Sequence, residues 1–89
     1  MVLKSKNTIT QEQVNEIFAK ANKKVETVFG KCTVVSCQLE NGFIITESSA
    51  CVDVENYDYY IGAKICEDRI KNKIWELEGY KLQCELKNM

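Results

Sequence analysis

The sequence predicts a single α+β domain whose elements follow the order α-β-β-α-β. Three observations indicate this class: an apolar stripe of helical period near the N-terminus, an Asn41-Gly42 turn between two β-branched runs, and a second helical stripe followed by eight alternating residues. With 89 residues the chain has room for one domain. We expect residues 1–9 to form a flexible N-terminus and residues 10–89 to form the domain.

Thr10 and Gln13 mark the start of the first predicted helix, because a threonine followed three residues later by glutamine is a capping box. Gly30 is expected to end this helix in the left-handed conformation. Between them an apolar stripe at helical spacing comprises Val14, Ile17, Phe18, Ala21, Val25, Val28 and Phe29.

A β-hairpin is predicted next, with strands at 32–39 and 43–52. Asn41-Gly42 is a strong signal for a two-residue type I′ turn, in which both central residues have positive φ. That register places Cys32 opposite Cys51. Two small packed thiols are favoured there over a redox pair, because an odd number of cysteines without a secretion signal indicates a reducing compartment.

Both faces of this hairpin carry apolar side chains. The two-residue loop assigns Ile44 to the face of Val35 and Cys37, and Ile45 to the opposite face. One face is expected to pack on the helices. The other needs a cover that a monomer does not supply, so a homo-oligomer (dimer or tetramer) is expected.

The second helix is predicted to begin at Asn56, its expected N-cap, with Asp58 in its first turn. Gly62 within this helix indicates a close backbone approach or a ligand contact, and packing is favoured. Gly79 is the expected stop. The alternation of residues 80–87 then predicts a short C-terminal strand. The buried side of the helix is expected to comprise Ile61, Ile65, Ile70, Ile74 and Leu77.

Composition excludes several classes of function. Twelve basic and thirteen acidic side chains give a net charge of −1, which disfavours a DNA- or RNA-binding protein. The chain has no histidine and no C-x-x-C pair, so the common zinc patterns and histidine-based nucleophile pairs are absent. No stretch reaches the ~20 apolar residues of a membrane span. We expect no catalytic residue, metal or cofactor.

The candidate ligand-binding residues are three tyrosines and two cations around the start of the second helix: Tyr57, Tyr59, Tyr60, Lys64 and Arg69. Aromatic rings stack on planar bases, and the backbone N–H groups at a helix start donate hydrogen bonds to an anionic oxygen. The guanidinium of Arg69 suits bidentate phosphate recognition. The alternative to ligand binding is that one tyrosine lies in the core, one in an interface and one in solvent. For Arg69 the alternative is a surface ion pair.

Several segments together resemble a family of small tailed-phage proteins known as gene product forty-nine-like. They are Asn41-Gly42-Phe43, Ser49-Ala50-Cys51-Val52, Asn56-Tyr57-Asp58, Ile61-Gly62, Lys64-Ile65 and Ile74-Trp75-Glu76-Leu77-Glu78-Gly79-Tyr80. The resemblance covers most of the chain. The chain differs from the family pattern at Glu47-Ser48, where Gly-Glu is usual, and at Val54, where proline is common.

The resemblance implies a phage protein that acts in the host cytoplasm. Some small phage proteins of this general type are anti-CBASS immune evasion sponges, which oligomerise and sequester a cyclic nucleotide signal. The implied function is binding of a cyclic dinucleotide such as cGAMP without cleavage. The alternative is a protein-binding inhibitor or accessory factor that acts on a host or phage protein. An enzyme is least favoured, because phosphoryl hydrolysis generally needs clustered carboxylates with metal, or histidines.

Overall fold

The computed structural model describes residues 7–88 and confirms the α+β class. Three antiparallel strands form one sheet in the order β1-β2-β3. The elements are α1 (Gln11–Lys20), β1 (Asn22–Val28), β2 (Cys32–Gln38), β3 (Ile44–Ala50), a short 3-10 turn (Val54–Asn56) and α2 (Tyr59–Lys87). Most of the predicted flexible N-terminus, residues 1–6, lies outside the described residues, whereas Ile9 packs against the core.

The capping box of α1 is confirmed. The Thr10 hydroxyl accepts from the Gln13 amide at 3.2 Å, and the Thr10 amide donates to the Gln13 side chain at 2.8 Å. The predicted extension of this helix to residue 29 is wrong. Ala21 is already extended, and residues 22–28 pair with β2 instead. Val25, Thr27 and Val28 are β-branched and favour a strand once a partner strand lies alongside.

Gly30 therefore ends a strand rather than a helix. Phe29 and Gly30 both have positive φ, at 54° and 71°, and the Lys31 amide donates to the Val28 carbonyl at 3.3 Å. The positive φ at two successive residues, which had been expected at Asn41-Gly42, therefore occurs in this turn instead. Phenylalanine is unusual at positive φ, so a hairpin turn at Phe29-Gly30 was not predicted from the sequence.

The second hairpin is confirmed, but its predicted turn type and register are wrong. Of the two predicted turn residues, Asn41 and Gly42, only Gly42 has positive φ, at 92°. Its amide donates to the Leu39 carbonyl at 2.9 Å. The loop therefore has one residue more than the two-residue loop of a type I′ hairpin. As a result, Cys32 lies opposite Ala50 rather than Cys51. The one-residue shift exchanges the two faces, so that Ile45 is buried and Ile44 is 61% exposed.

α2 begins and ends later than predicted. Its N-cap is Asp58, not Asn56, and its helical hydrogen bonds continue through Gly79 to Lys87. The predicted strand at 80–87 is therefore wrong. Lysine, leucine, glutamine and glutamate are all good helix formers, and Leu82 and Leu86 share one face at a spacing of four residues. Within residues 7–88, neither helix has the length and apolar content of a bilayer-spanning segment.

α2 packs across β2 and β3 and supplies three of the eight buried apolar residues. Gly62, Cys66, Ile70 and Ile74 follow one another at four-residue spacing, which places them on one face of the helix. They meet the buried positions of the sheet. The apolar core comprises Val14, Ala21, Val35, Cys37, Ile45, Cys66, Ile70 and Ile74.

Candidate functional site

Tyr57 is part of the packing between the sheet and the start of α2. Its hydroxyl lies 2.8 Å from the Thr27 hydroxyl and 2.7 Å from the Thr33 hydroxyl. Thr33 is fully buried in β2, and Thr27 lies opposite it in β1. Tyr57 therefore ties the helix entry to two strands, which corresponds to the core alternative rather than to a free stacking surface.

Replacing Tyr57 with phenylalanine is expected to destabilise the fold by about 1–2 kcal/mol, because the buried Thr33 hydroxyl loses its partner. The melting temperature should fall by about 4–8 °C for each kcal/mol. Tyr80→Phe is the matched control, since Tyr80 is 74% exposed, and it should stay within about 0.5 kcal/mol of the parent. An unchanged melting temperature for Tyr57→Phe would contradict the structural role of this hydroxyl.

Tyr59 and Tyr60 form an exposed aromatic pair at the start of α2. Their ring centroids are 5.3 Å apart with the planes at 87°, an edge-to-face arrangement. Tyr59 is 41% exposed and Tyr60 is 81% exposed. An exposed ring with its face free is what base stacking requires.

The first amides of α2 are already engaged by a carboxylate. Oδ1 of Asp58 accepts from the Tyr60 amide at 2.9 Å and from the Ile61 amide at 3.2 Å. A negative side chain at this position competes with any phosphate for the same donors. The expected anion contact at the start of this helix is therefore not favoured by the geometry.

The two candidate cations lie on different sides of α2. Positions five residues apart are about 140° apart around a helix. Lys64 pairs with Asp68 at 2.9 Å, and this hydrogen bond raises the pKa of Lys64. Arg69 donates to the Ser48 carbonyl of β3 at 2.7 Å and makes no ion pair among residues 7–88. The structure brings Arg69 to the sheet edge and leaves Lys64 in a solvated ion pair.

A groove between β3 and α2 contains residues that the sequence did not indicate. At one end a cavity of about 390 Å³ lies between residues 43–47 and residues Lys73, Glu76 and Leu77. At the other end a cavity of about 140 Å³ is bounded by residues 49–51, residues 56–58, Ile61, Gly62 and Ile65. Arg69 reaches β3 between the two cavities. To predict this groove from the sequence, the correct hairpin register would have been needed.

The buried cysteines of this fold are protected thiols. Burial raises the pKa of both Cys37 and Cys66, so both remain protonated at neutral pH. All five cysteines are free. Among residues 7–88 there is no group of three or more histidine, cysteine, aspartate or glutamate side chains that could hold a metal ion.

A family model covers nearly the whole chain. The model of the phage protein (N4 Gp49/phage Sf6 gene 66) family matches residues 4–86. The chain belongs to this family. No curated protein and no solved structure matches it. Membership in this phage family agrees with the phage origin that the sequence motifs implied.

Proposed function

We propose that this member of the phage Gp49 family is a non-enzymatic binding protein of the host cytoplasm that sequesters a cyclic nucleotide, such as a cyclic dinucleotide, without cleaving it. The observation that carries the proposal is the exposed pair of Tyr59 and Tyr60. Base–aromatic stacking is worth about 1–3 kcal/mol per base. Arg69, with a single hydrogen bond to a carbonyl, keeps further N–H donors for phosphate.

A homo-oligomer is part of this proposal. Ligand pockets typically enclose about 300–1,000 Å³. The cavity beside Tyr57 at the start of α2 is about 140 Å³, too small for a molecule with two bases. A site built from two copies would supply the remaining surface.

The test is a thermal shift screen against cyclic di- and trinucleotides and cyclic ADP-ribose isomers, followed by recovery of the ligand after heat denaturation. A ligand at a thousandfold excess over its dissociation constant adds about 4 kcal/mol of stability. Each kcal/mol raises the melting temperature by about 4–8 °C. A large shift with the ligand recovered intact supports the proposal.

Tyr60→Ala and Arg69→Ala are expected to lose most of that shift, whereas Tyr80→Ala should keep it. Tyr80 is the matched control because it is an exposed tyrosine on the same helix, about 30 Å from Tyr60 along the helix axis. A flat panel would overturn the proposal for these ligands, and a hydrolysed ligand would indicate an enzyme.

The second candidate function is that of an inhibitor or accessory factor that binds a host or phage protein. The observation that favours it is the unpaired outer edge of β3, to which an extended segment of a partner can add as a strand. Such a factor would ignore nucleotides and would co-purify with a defined partner.

A further inference from the structure

β3 has a free edge whose orientation is fixed by its hydrogen bonds to β2. The Leu39 amide donates to the Phe43 carbonyl, and the Cys51 amide donates to the Lys31 carbonyl. Odd-numbered residues of β3 therefore bond to β2, and even-numbered residues point their main-chain groups outwards. The hydrogen bond from Arg69 to the Ser48 carbonyl agrees with this assignment. The outward positions are Ile44, Thr46, Ser48 and Ala50.

The two edges of the sheet differ in how they are protected. β1 has the sequence NKKVETV, with three charged residues in seven, and charged side chains are a common protection of edge strands. β3 has the sequence IITESSA, with a single charge at Glu47. The edge of β3 is thus the one that is open to strand pairing.

We propose that β3 pairs antiparallel with β3 of a second copy of this chain around a two-fold axis. The full overlap of the two strands places Thr46 opposite Ser48 of the second copy and Ile44 opposite Ala50 of the second copy. About eight main-chain hydrogen bonds then form, since each such pair exchanges two. The proposal specifies the surface of the homo-oligomer suggested above, and this assembly needs no nucleotide.

The groove beside β3 is complementary to its own two-fold copy. α2 runs antiparallel to β3, so its Ile61 and Ile65 lie near the end of β3 and its Leu77 lies near the beginning, beside Phe43. All four side chains are at least 37% exposed. A two-fold axis reverses the direction of the groove in the second copy. Ile61 and Ile65 of one copy therefore lie beside Phe43 and Leu77 of the other.

Charges at the centre of the groove also match. In the proposed register Glu47 lies opposite Glu47 of the second copy, and alone this pair would repel. Glu47 and Arg69 each lack an ion pair among residues 7–88, and Arg69 reaches β3 beside Glu47. Two arginines and two glutamates around the axis give a neutral cluster. The Ser48 carbonyl has two lone pairs and can keep its bond to Arg69 in the dimer.

The helices fit the same arrangement. Neighbouring strands lie about 4.8 Å apart, and α2 packs across β2 and β3. The two α2 helices would therefore lie about 10 Å apart across the axis, which is the distance of packed helices. Their exposed apolar residues would be covered in this arrangement.

Sedimentation without nucleotide tests the proposal, with Thr46→Pro as the variant and Val25→Pro as the matched control. Proline at either position removes an outward amide and spares the hydrogen bonds to β2. Parent and Val25→Pro should be dimers at micromolar concentrations. Thr46→Pro, which affects both copies, should raise the dissociation constant about tenfold or more. A monomeric parent, or equal dissociation constants for both variants, would overturn the proposal.

Residue-resolved amide exchange on the parent decides the matter if Thr46→Pro does not fold. The outward amides of β3 should exchange slowly in concentrated solution and rapidly after dilution, because only pairing protects them. Lys23, Val25 and Thr27 on the outer edge of β1 should exchange rapidly in both. Rapid exchange of Ile44 and Thr46 in concentrated solution would overturn the proposal. Because neither measurement includes a nucleotide, the test of the dimer is independent of the test of nucleotide binding.

Discussion

Gly62→Ala is expected to destabilise the protein strongly. A Cβ atom at this position would lie 2.2 Å from Oγ1 and 2.8 Å from Cβ of Thr33, so the side chain has no space. Thr33 is fully buried and hydrogen-bonded to Tyr57, and it has no free direction in which to move. Forcing extra atoms into a packed site costs about 1–3 kcal/mol, occasionally more. The melting temperature in thermal denaturation should fall by about 4–8 °C for each kcal/mol.

Gly79→Ala provides the control within the same helix. Nothing lies within 4 Å of a Cβ atom built on Gly79, and alanine is favoured over glycine in a helix by about 0.8–1 kcal/mol. This variant should therefore be more stable than the parent. If Gly62→Ala were also stabilising, the close contact of α2 with β2 at Thr33 would be wrong.

The elements that sequence reasoning predicted correctly are those fixed by local chemistry. The capping box of Thr10 and Gln13 specifies a helix start without reference to the rest of the chain. Gly62 also followed from a local argument, because a glycine inside a helix is costly unless another segment approaches closely. Both interpretations required only neighbouring residues.

The elements that it missed depend on distant partners. Residues 22–28 have apolar positions that fit a helical stripe, and they form a strand because β2 lies alongside. Residues 80–87 alternate like a strand, but they continue α2 because their lysine, leucine, glutamine and glutamate residues are good helix formers. Local periodicity cannot distinguish these cases.

Prediction of the candidate site from the sequence was limited because the site depends on the hairpin register. One extra loop residue at Asn41-Gly42 moves Ile44 to the open face, so the predicted register could not place the side chains of β3 correctly beside α2. The sequence left open which tyrosine belongs to the core, which to an interface and which to the solvent. Only the structure separates Tyr57, which is hydrogen-bonded to the sheet, from Tyr60, which is largely exposed.

Ile70→Ala is expected to have the largest effect of any single truncation in α2. Ile70 is completely buried at the centre of the helix face that covers the sheet. Truncation of a buried isoleucine costs about 2–5 kcal/mol. Domains are typically stable by only about 5–15 kcal/mol, so this change removes a large share of the total. Chemical denaturation should show a lower midpoint, and a loss below about 1 kcal/mol would contradict the packing of α2 on the sheet.

Ile61→Ala makes the same chemical change on the same helix at a position that is 61% exposed, and it separates folding from assembly. In dilute solution, where the proposed dimer dissociates, this variant should match the parent to within about 0.5 kcal/mol. In concentrated solution we expect the parent to gain stability from the proposed association and the variant to gain less, because binding to the native state adds to the free energy of unfolding. Ile70→Ala should instead lower stability by the same amount at both concentrations. If Ile61→Ala lowered stability equally at both concentrations, Ile61 would belong to the core of the monomer, and the apolar contact between two copies would lose its support.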